Sequence, residues 1–363
     1  MKLNYKQIGR ALIVIGLSSS TFFACSSDDS EFDNTTKDNY EYSKILENYT
    51  SKTIIPTYKD MYDNSVKLLQ EAKKLETNKS TSILINICKH WKNTRHAWEQ
   101  SEAFLFGPAA DHKLDPSIDS WPLDKGQLDI ILKGESLINA SYVEDQLGSG
   151  VRGFHTIEYL IFEDGKPKGS ITDRETEYLI ATIEVLQSNC KTLYMAWKGG
   201  TAGEETYTSY AKEVKNAGKA GSRFKSQEQA IEQIIDGTLE IVGEVGTQKI
   251  NAPYTSKEKL DVESWYSWNS LTDFVNNIQG VENVYNGGYG TNKSGGLNTI
   301  VKEKNPELDT KITKNIANVK RLISEIGEPF RNNLNEDIKI KAAMNACAEL
   351  EKTLLEIKKL VVK

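Results

Sequence analysis

From Tyr40 onward the apolar positions recur every three or four residues rather than every second one, the period of helices buried along one side. Nine segments keep this rhythm, at roughly 42–75, 80–106, 124–134, 139–163, 172–197, 225–246, 255–285, 306–331 and 335–361. Turn-forming stretches, GPAADHKLDPSIDSWP, EDGKPKGS, NGGYGTNKSGG and IGEP, lie between them, and strand-like alternation is nearly absent. A break rich in Gly, Ser and Thr falls at 198–224. The pattern predicts an all-α chain of two helical-bundle halves of about four helices each. Residues 40–197 form the first, 198–224 the linker and 225–363 the second, with room for one strand pair in the Gly-rich loops.

Polar side chains interrupt several apolar stripes. Trp91, Trp98 and Leu105 recur at spacings of seven, with Arg95 and Glu102 on the same side. Trp265, Thr272 and Gln279 stack likewise beside Asn269, Asp273 and Asn276, so the halves read as a diverged duplication. The sharpest case is VRGFHTIEYLIFEDG, residues 151–165. Wound as a helix, it gathers Val151, Phe154, Ile157, Ile161 and Phe162 on one side, with His155 and Glu158 inside that sector about 60° apart. An unpaired buried carboxylate is very costly, so Glu158 must be protonated, paired or bound to a cation. A His–Glu hydrogen bond holding two helices together meets that demand with no further chemistry. Gly153 points further: inside a helix it costs about 1 kcal/mol, which implies close approach of another backbone or a ligand. Two ligands on adjacent turns are the geometry of helical metal sites. His96 and Glu99 repeat the spacing, but Trp98 and Leu105 define that helix's inner face, so both are expected to look outward or sideways.

Composition and charge remove several classes. The chain has 363 residues, 26% charged and 38% hydrophobic, with a net charge of −6. It has no Lys/Arg cluster interleaved with aromatics, which argues against nucleic acid. The first 24 residues differ in kind: Lys2, Lys6 and Arg10 with no acid, then ALIVIGLSSSTFFA, a secretory signal too short to remain as a span. Its end, FFAC, resembles a lipoprotein processing box that makes Cys25 the lipidated N-terminus. Removing the three cations of residues 1–24 leaves a mature net charge of −9. Residues 25–39 read as a polar tether, and its acidic run resembles surface-export signals of some Gram-negative lipoproteins. The expected location is the cell envelope of a Gram-negative bacterium, as an outer-membrane lipoprotein on its periplasmic or surface face. Cys88, Cys190 and Cys347 show no paired spacing and read as buried free thiols. The zincin patterns, the phosphate-loop pattern and a Ser–His partnership are all missing from the sequence.

Four blocks together resemble the imelysin family, also described as imelysin-type peptidases and iron-regulated proteins. GFHTIEYLIF resembles its G-x-H-x-x-E signature, and WKNTRHAWEQSEAFLFGP its first aromatic and acidic block. DPSIDSWPLDKGQLD and ESWYSWNSLTDFVNNIQGVENVYNG resemble its two remaining blocks, so the likeness runs from about residue 45 to the C-terminus. Ser270 replaces a Thr, and DVES lacks a histidine found before the last block, which leaves the second half only oxygen ligands. The resemblance implies two all-α bundles with the H-x-x-E site at their junction. It places Glu102, Asp119, His155 and Glu158 opposite Ser267, Asn269 and Asp273, with His155 and Glu158 as metal ligands. Oxygen donors with one imidazole suit iron or manganese at least as well as zinc.

The reading that follows is a lipid-anchored envelope protein that binds a metal ion, iron first, or a metal-bearing small ligand, in iron uptake or handling. An envelope receptor or transporter is its expected partner. A metal-dependent peptidase is the alternative, although the zincin ligand set is missing and no catalytic residue is assigned; a metal-free ligand- or protein-binding module is the third.

Overall fold

The computed structural model describes residues 35–291 and 293–361. The signal segment, Cys25 and residues 25–34 of the expected tether lie outside the described residues. In chain order the first helices are α1 (Thr35–Asn48), α2 (Ile55–Lys73), α3 (Thr81–Ser101), α4 (Pro108–Asp111), α5 (Asp115–Ile118), α6 (Lys125–Lys133), α7 (Ala140–Gln146), α8 (Phe154–Ile161) and α9 (Asp173–Lys198). There follow α10 (Tyr210–Lys215), α11 (Gln227–Glu244), α12 (Asn251–Ser256), α13 (Ser270–Asn286), α14 (Asn298–Lys304), α15 (Pro306–Glu325) and α16 (Asp337–Val361). The all-α expectation holds. Two small antiparallel hairpins interrupt it, Phe162–Glu163 with Lys166–Pro167 and Gly200–Ala202 with Glu205–Tyr207, where one pair was expected.

Several boundaries depart from the periodic pattern for local reasons. Helix α1 starts at Thr35, so the last five tether residues are helical. The segment 139–163 is two helices, α7 and α8, separated by a loop. Gly153 is not inside a helix but caps α8 with φ +78, and a Cβ there would sit 2.3 Å from the carbonyl oxygen of Ile118. Its role is therefore close approach to another backbone. The segment 255–285 breaks between the end of α12 and Ser270, apart from a 3-10 turn at Lys259–Asp261, because Lys257, Ser264 and Trp268 all take positive φ there. Two π-helical turns, Tyr49–Ile54 and Val245–Ile250, join α1 to α2 and α11 to α12.

Helix α3 organises the molecule. It packs against α2 and α8 on one side and against α13 on another, while α11, α15 and α16 build the remaining layer. Gly280 lets α13 come this close, since a Cβ there would lie 2.3 Å from the Gln100 carbonyl oxygen. One hydrophobic core runs through both halves, from Tyr42 to Val361, with Trp91, Trp98 and Trp197 among its largest buried side chains.

Candidate metal centre

The centre of the α3–α13 contact is ionic. Arg95, fully buried on α3, donates from Nη1 to Asp119 Oδ1 (2.6 Å) and from Nε to Asp273 Oδ2 (2.9 Å). Its Nη2 lies 2.6 Å from Glu263 Oε1 and 2.7 Å from Glu99 Oε1. Burial opposes the guanidinium charge, but these four carboxylates outweigh it and hold its pKa well above normal. The loop before α13 supplies Glu263, and the first turn of α13 supplies Asp273. Ser264 donates to Asp273 Oδ2, and Asn269 donates to Oδ1 at 2.6 Å. Burial still raises Asp273 despite Arg95.

Helix α8 brings His155 to the same place. Its Nδ1 lies 3.0 Å from Glu158 Oε2, and Trp121 packs on the ring with centroids 4.5 Å apart. Glu158 Oε1 accepts from both the backbone N and the Oγ of Ser267, each at 2.7 Å. Both Glu158 oxygens are thus satisfied within the protein. The other imidazole nitrogen, Nε2, is buried with no hydrogen-bond partner, although Asp119 Oδ1 is 3.0 Å away and Glu263 Oε1 3.9 Å. Burial and Arg95 push His155 down, but Asp119 and Glu158 win and raise it to about 9. Burial pushes Asp119 up, yet Arg95 and His155 hold it well below the usual carboxylate range. Asp119 Oδ2 accepts from Trp98 Nε1 at 2.6 Å.

A second cation completes the network. Lys249, in the π turn after α11, places Nζ 3.1 Å from both Glu263 oxygens and from Glu102 Oε2, and 3.6 Å from Glu99 Oε2. Asn277 donates to Glu99 Oε2 at 2.7 Å and to Glu102 Oε2 at 3.2 Å. Burial pushes Glu99 up to about 8 against the pull of Arg95 and Lys249, and raises Glu102 well above its ordinary value.

A cleft of about 880 Å³ opens onto this network, and Glu102, Asp119, Trp121, Lys249 and Glu263 form part of its wall. Its other lining groups include Asp115, Glu240, Glu244 and Asp261 against a single further cation, Lys113, so the approach is acidic. One donor atom each from Asp119, His155 and Glu263 lies within 4.8 Å of the others. The residues present fit a cation: a buried imidazole nitrogen, two carboxylates beside it, and an open acidic path.

The imelysin peptidase family profile matches residues 54–357. This chain belongs to the imelysin family. Iron-regulated protein A of Synechococcus elongatus is 26% identical to it over 316 residues, which cover 86% of this chain and 84% of that protein. A crystal structure of a Parabacteroides distasonis protein, named as an iron-regulated protein A precursor, superposes with a TM-score of 0.82 at 34% identity, covering 89% of this chain and 96% of that one. An imelysin-like protein from Psychrobacter arcticum shares the fold, with a TM-score of 0.68 at 16% identity over 89% and 93% of the two chains.

In this imelysin all seven expected site residues, Glu102, Asp119, His155, Glu158, Ser267, Asn269 and Asp273, fall in one connected network. Within it the converging donors are His155, Asp119 and Glu263, whereas Glu158 points inward to Ser267 and the imidazole Nδ1. The reading of sequence alone missed four members. Glu99 was expected to look outward and is instead buried beneath Arg95. Glu263 stands in DVES, in the loop just before α13. Arg95 was placed on the correct face without a partner. Lys249 continues the buried stripe of Ile241, Val242, Val245 and Gly246, and extending that helix by three residues would have found it.

Proposed function

We propose that this imelysin binds a metal ion, iron ahead of manganese or zinc, and does so as a lipid-anchored protein of the cell envelope. The observation that carries the metal reading is the convergence of His155 Nε2 with carboxylate oxygens of Asp119 and Glu263 at the foot of an acidic cleft. Six carboxyl groups, those of Glu99, Glu102, Asp119, Glu158, Glu263 and Asp273, cluster around Arg95 and Lys249, an oxygen-rich surrounding suited to a cation. Asp119, His155 and Glu263 would hold the ion. Glu158 is a positioning residue: it fixes the imidazole through Nδ1 and leaves Nε2 for the ligand. Carboxylate oxygens with one imidazole suit iron and manganese, and the relatives named iron-regulated protein A support iron. When bound, such an ion supplies a Lewis-acidic and redox-capable centre. The sequence of residues 1–25 supports the anchor, and an envelope receptor or transporter would deliver or receive the ion.

The test is calorimetry and elemental analysis on residues 26–363 with Fe(II), Mn(II) and Zn(II). One bound ion is expected, with Fe(II) favoured, and Asp119→Asn, His155→Ala or Glu263→Gln should abolish uptake while circular dichroism stays helical. Wild-type protein that takes up none of the three metals would end the reading. For the anchor, Cys25→Ala should move the full chain from the membrane fraction to the soluble one; retention on the membrane refutes it. One feature favours a second reading, metal-dependent peptide hydrolysis: three ligands beside an open cleft are what a catalytic zinc needs. Glu102, the neighbouring carboxylate, is instead held by Lys249 and Asn277. Cleavage of a peptide library by the Zn(II)-loaded protein, lost in His155→Ala, would favour that reading.

A further inference from the structure

We propose that Lys249 is a displaceable counter-cation, whose ammonium holds Glu102 and Glu263 together until a metal ion takes its place and then swings out along the cleft. The inference rests on the metal reading above and adds what controls occupancy of the site.

An ammonium group has three protons to give, and here they meet Glu263, Glu102 and Glu99. Glu263 Oε1 is shared three ways: Arg95 Nη2 lies at 2.6 Å, Lys249 Nζ at 3.1 Å, and His155 Nε2 at 3.9 Å. An ion held by His155, Asp119 and Glu263 would compete for the Glu263 oxygens that both resident cations now engage, and departure of one cation frees that carboxylate to turn toward the ion. Arg95 is badly placed to leave. It is fully buried, bound to four carboxylates and not part of the cleft wall.

Lys249 can leave. Its side chain lines the cleft beside Glu102 and Glu263. A lysine is a point charge on a flexible four-carbon stem, without the rigid fork that ties a guanidinium to its acceptors. Glu240 stands on the same wall and offers the displaced ammonium a new carboxylate. The π turn that carries Lys249 is a backbone form that recurs at functional sites. The exchange also fits the charge balance. Without metal, the ammonium bridges Glu102 and Glu263; with metal, a divalent ion enters as a monovalent one leaves, which limits the charge added to the buried network. Moving Lys249 costs free energy, so its presence weakens metal affinity while it supports the metal-free fold.

The experiment titrates Mn(II) into wild type, Lys249→Met and Lys249→Arg. It also follows reductive methylation of Lys249 by mass spectrometry with and without Mn(II). Lys249→Met should bind at least about tenfold tighter than wild type, and its metal-free form should melt lower. Lys249→Arg, permanently charged and forked, should bind more weakly with its fold intact. Methylation at Lys249 should rise severalfold on metal loading. Equal or weaker binding by Lys249→Met, or methylation that metal leaves unchanged or suppresses, overturns the inference while the metal site stands. If Lys249→Met does not fold, Lys249→Arg and the methylation readout decide the matter. If neither wild type nor any variant takes up Mn(II), this inference and the metal reading fall together.

Discussion

In α8, His155 and Glu158 are both buried and meet at 3.0 Å; in α3, His96 and Glu99 have the same spacing, yet His96 is exposed and lies 2.8 Å from Gln100 while Glu99 is buried against Arg95 and Asn277. Three residues of helix fix an angle of about 60° between two side chains. They do not fix where the edge of the packed face falls. Nearly every residue of α8 is buried, so both members of its pair turn inward. Helix α3 is amphipathic, with Asn93 and His96 exposed, and its edge passes between the two members of the pair. The first pair yields an imidazole whose Nε2 faces Asp119 and Glu263; the second yields a carboxylate whose main partner is structural.

Experiments can break this contrast, and the largest effect belongs to the α3 side. Arg95→Met leaves Glu99, Asp119, Glu263 and Asp273 facing one another without their shared cation. Removing one partner of a buried ion pair costs about 3–5 kcal/mol, so urea melts should show a loss at least that large, or no folded protein. A loss below 1 kcal/mol would mean the carboxylates had never depended on the guanidinium.

On the α8 side, Glu158→Gln should spare the fold and weaken metal binding by about 10–100-fold, as loss of an orienting partner does. An amide facing Ser267 with its oxygen presents its NH2 to His155 Nδ1, which moves the ring proton to Nε2 and blocks the lone pair. Affinity within twofold of wild type would remove Glu158 from the site.

The α3 counterpart, Glu99→Gln, should act on pH dependence instead. Glu99 is raised from 4.5 to about 8 by burial. A carboxyl raised on folding contributes stability that is complete below its unfolded pKa and lost as pH climbs through the folded one. Metal-free wild type should therefore lose stability between about pH 4.5 and 8, and Glu99→Gln should lose less. Parallel pH profiles would show that Glu99 is not protonated in the native state. The smallest effect falls on the exposed member: His96→Ala should change stability by no more than about 0.5 kcal/mol and leave metal titrations unaltered.

The two pairs also mark how far the sequence could be read. The long helices were legible because each buries a single stripe with a period near 3.6, as in α15 with Leu308, Ile312, Ile316, Val319 and Ile323. The loops at 147–153 and 257–269 were not. Their course depends on a glycine pressed against Ile118 and on Ser264 and Trp268 in left-handed backbone, conformations that periodicity does not encode. At the site, the seven residues that the family likeness singles out fall together in one network. Glu99 and Lys249 were missed because each is a charged group on a packed stripe, tolerable only beside partners as far as 178 positions away that no local pattern announces.

The centre is stitched from distant parts of the chain: Arg95 bonds Asp273 across 178 positions, and Glu158 bonds Ser267 across 109. During synthesis at about 5–20 residues per second, Asp273 follows Arg95 by roughly 10–40 s. The three groups that would hold an ion coexist only when nearly three quarters of the 363 residues have been made. An ion held by these three groups would therefore find its donors together only once the fold is complete.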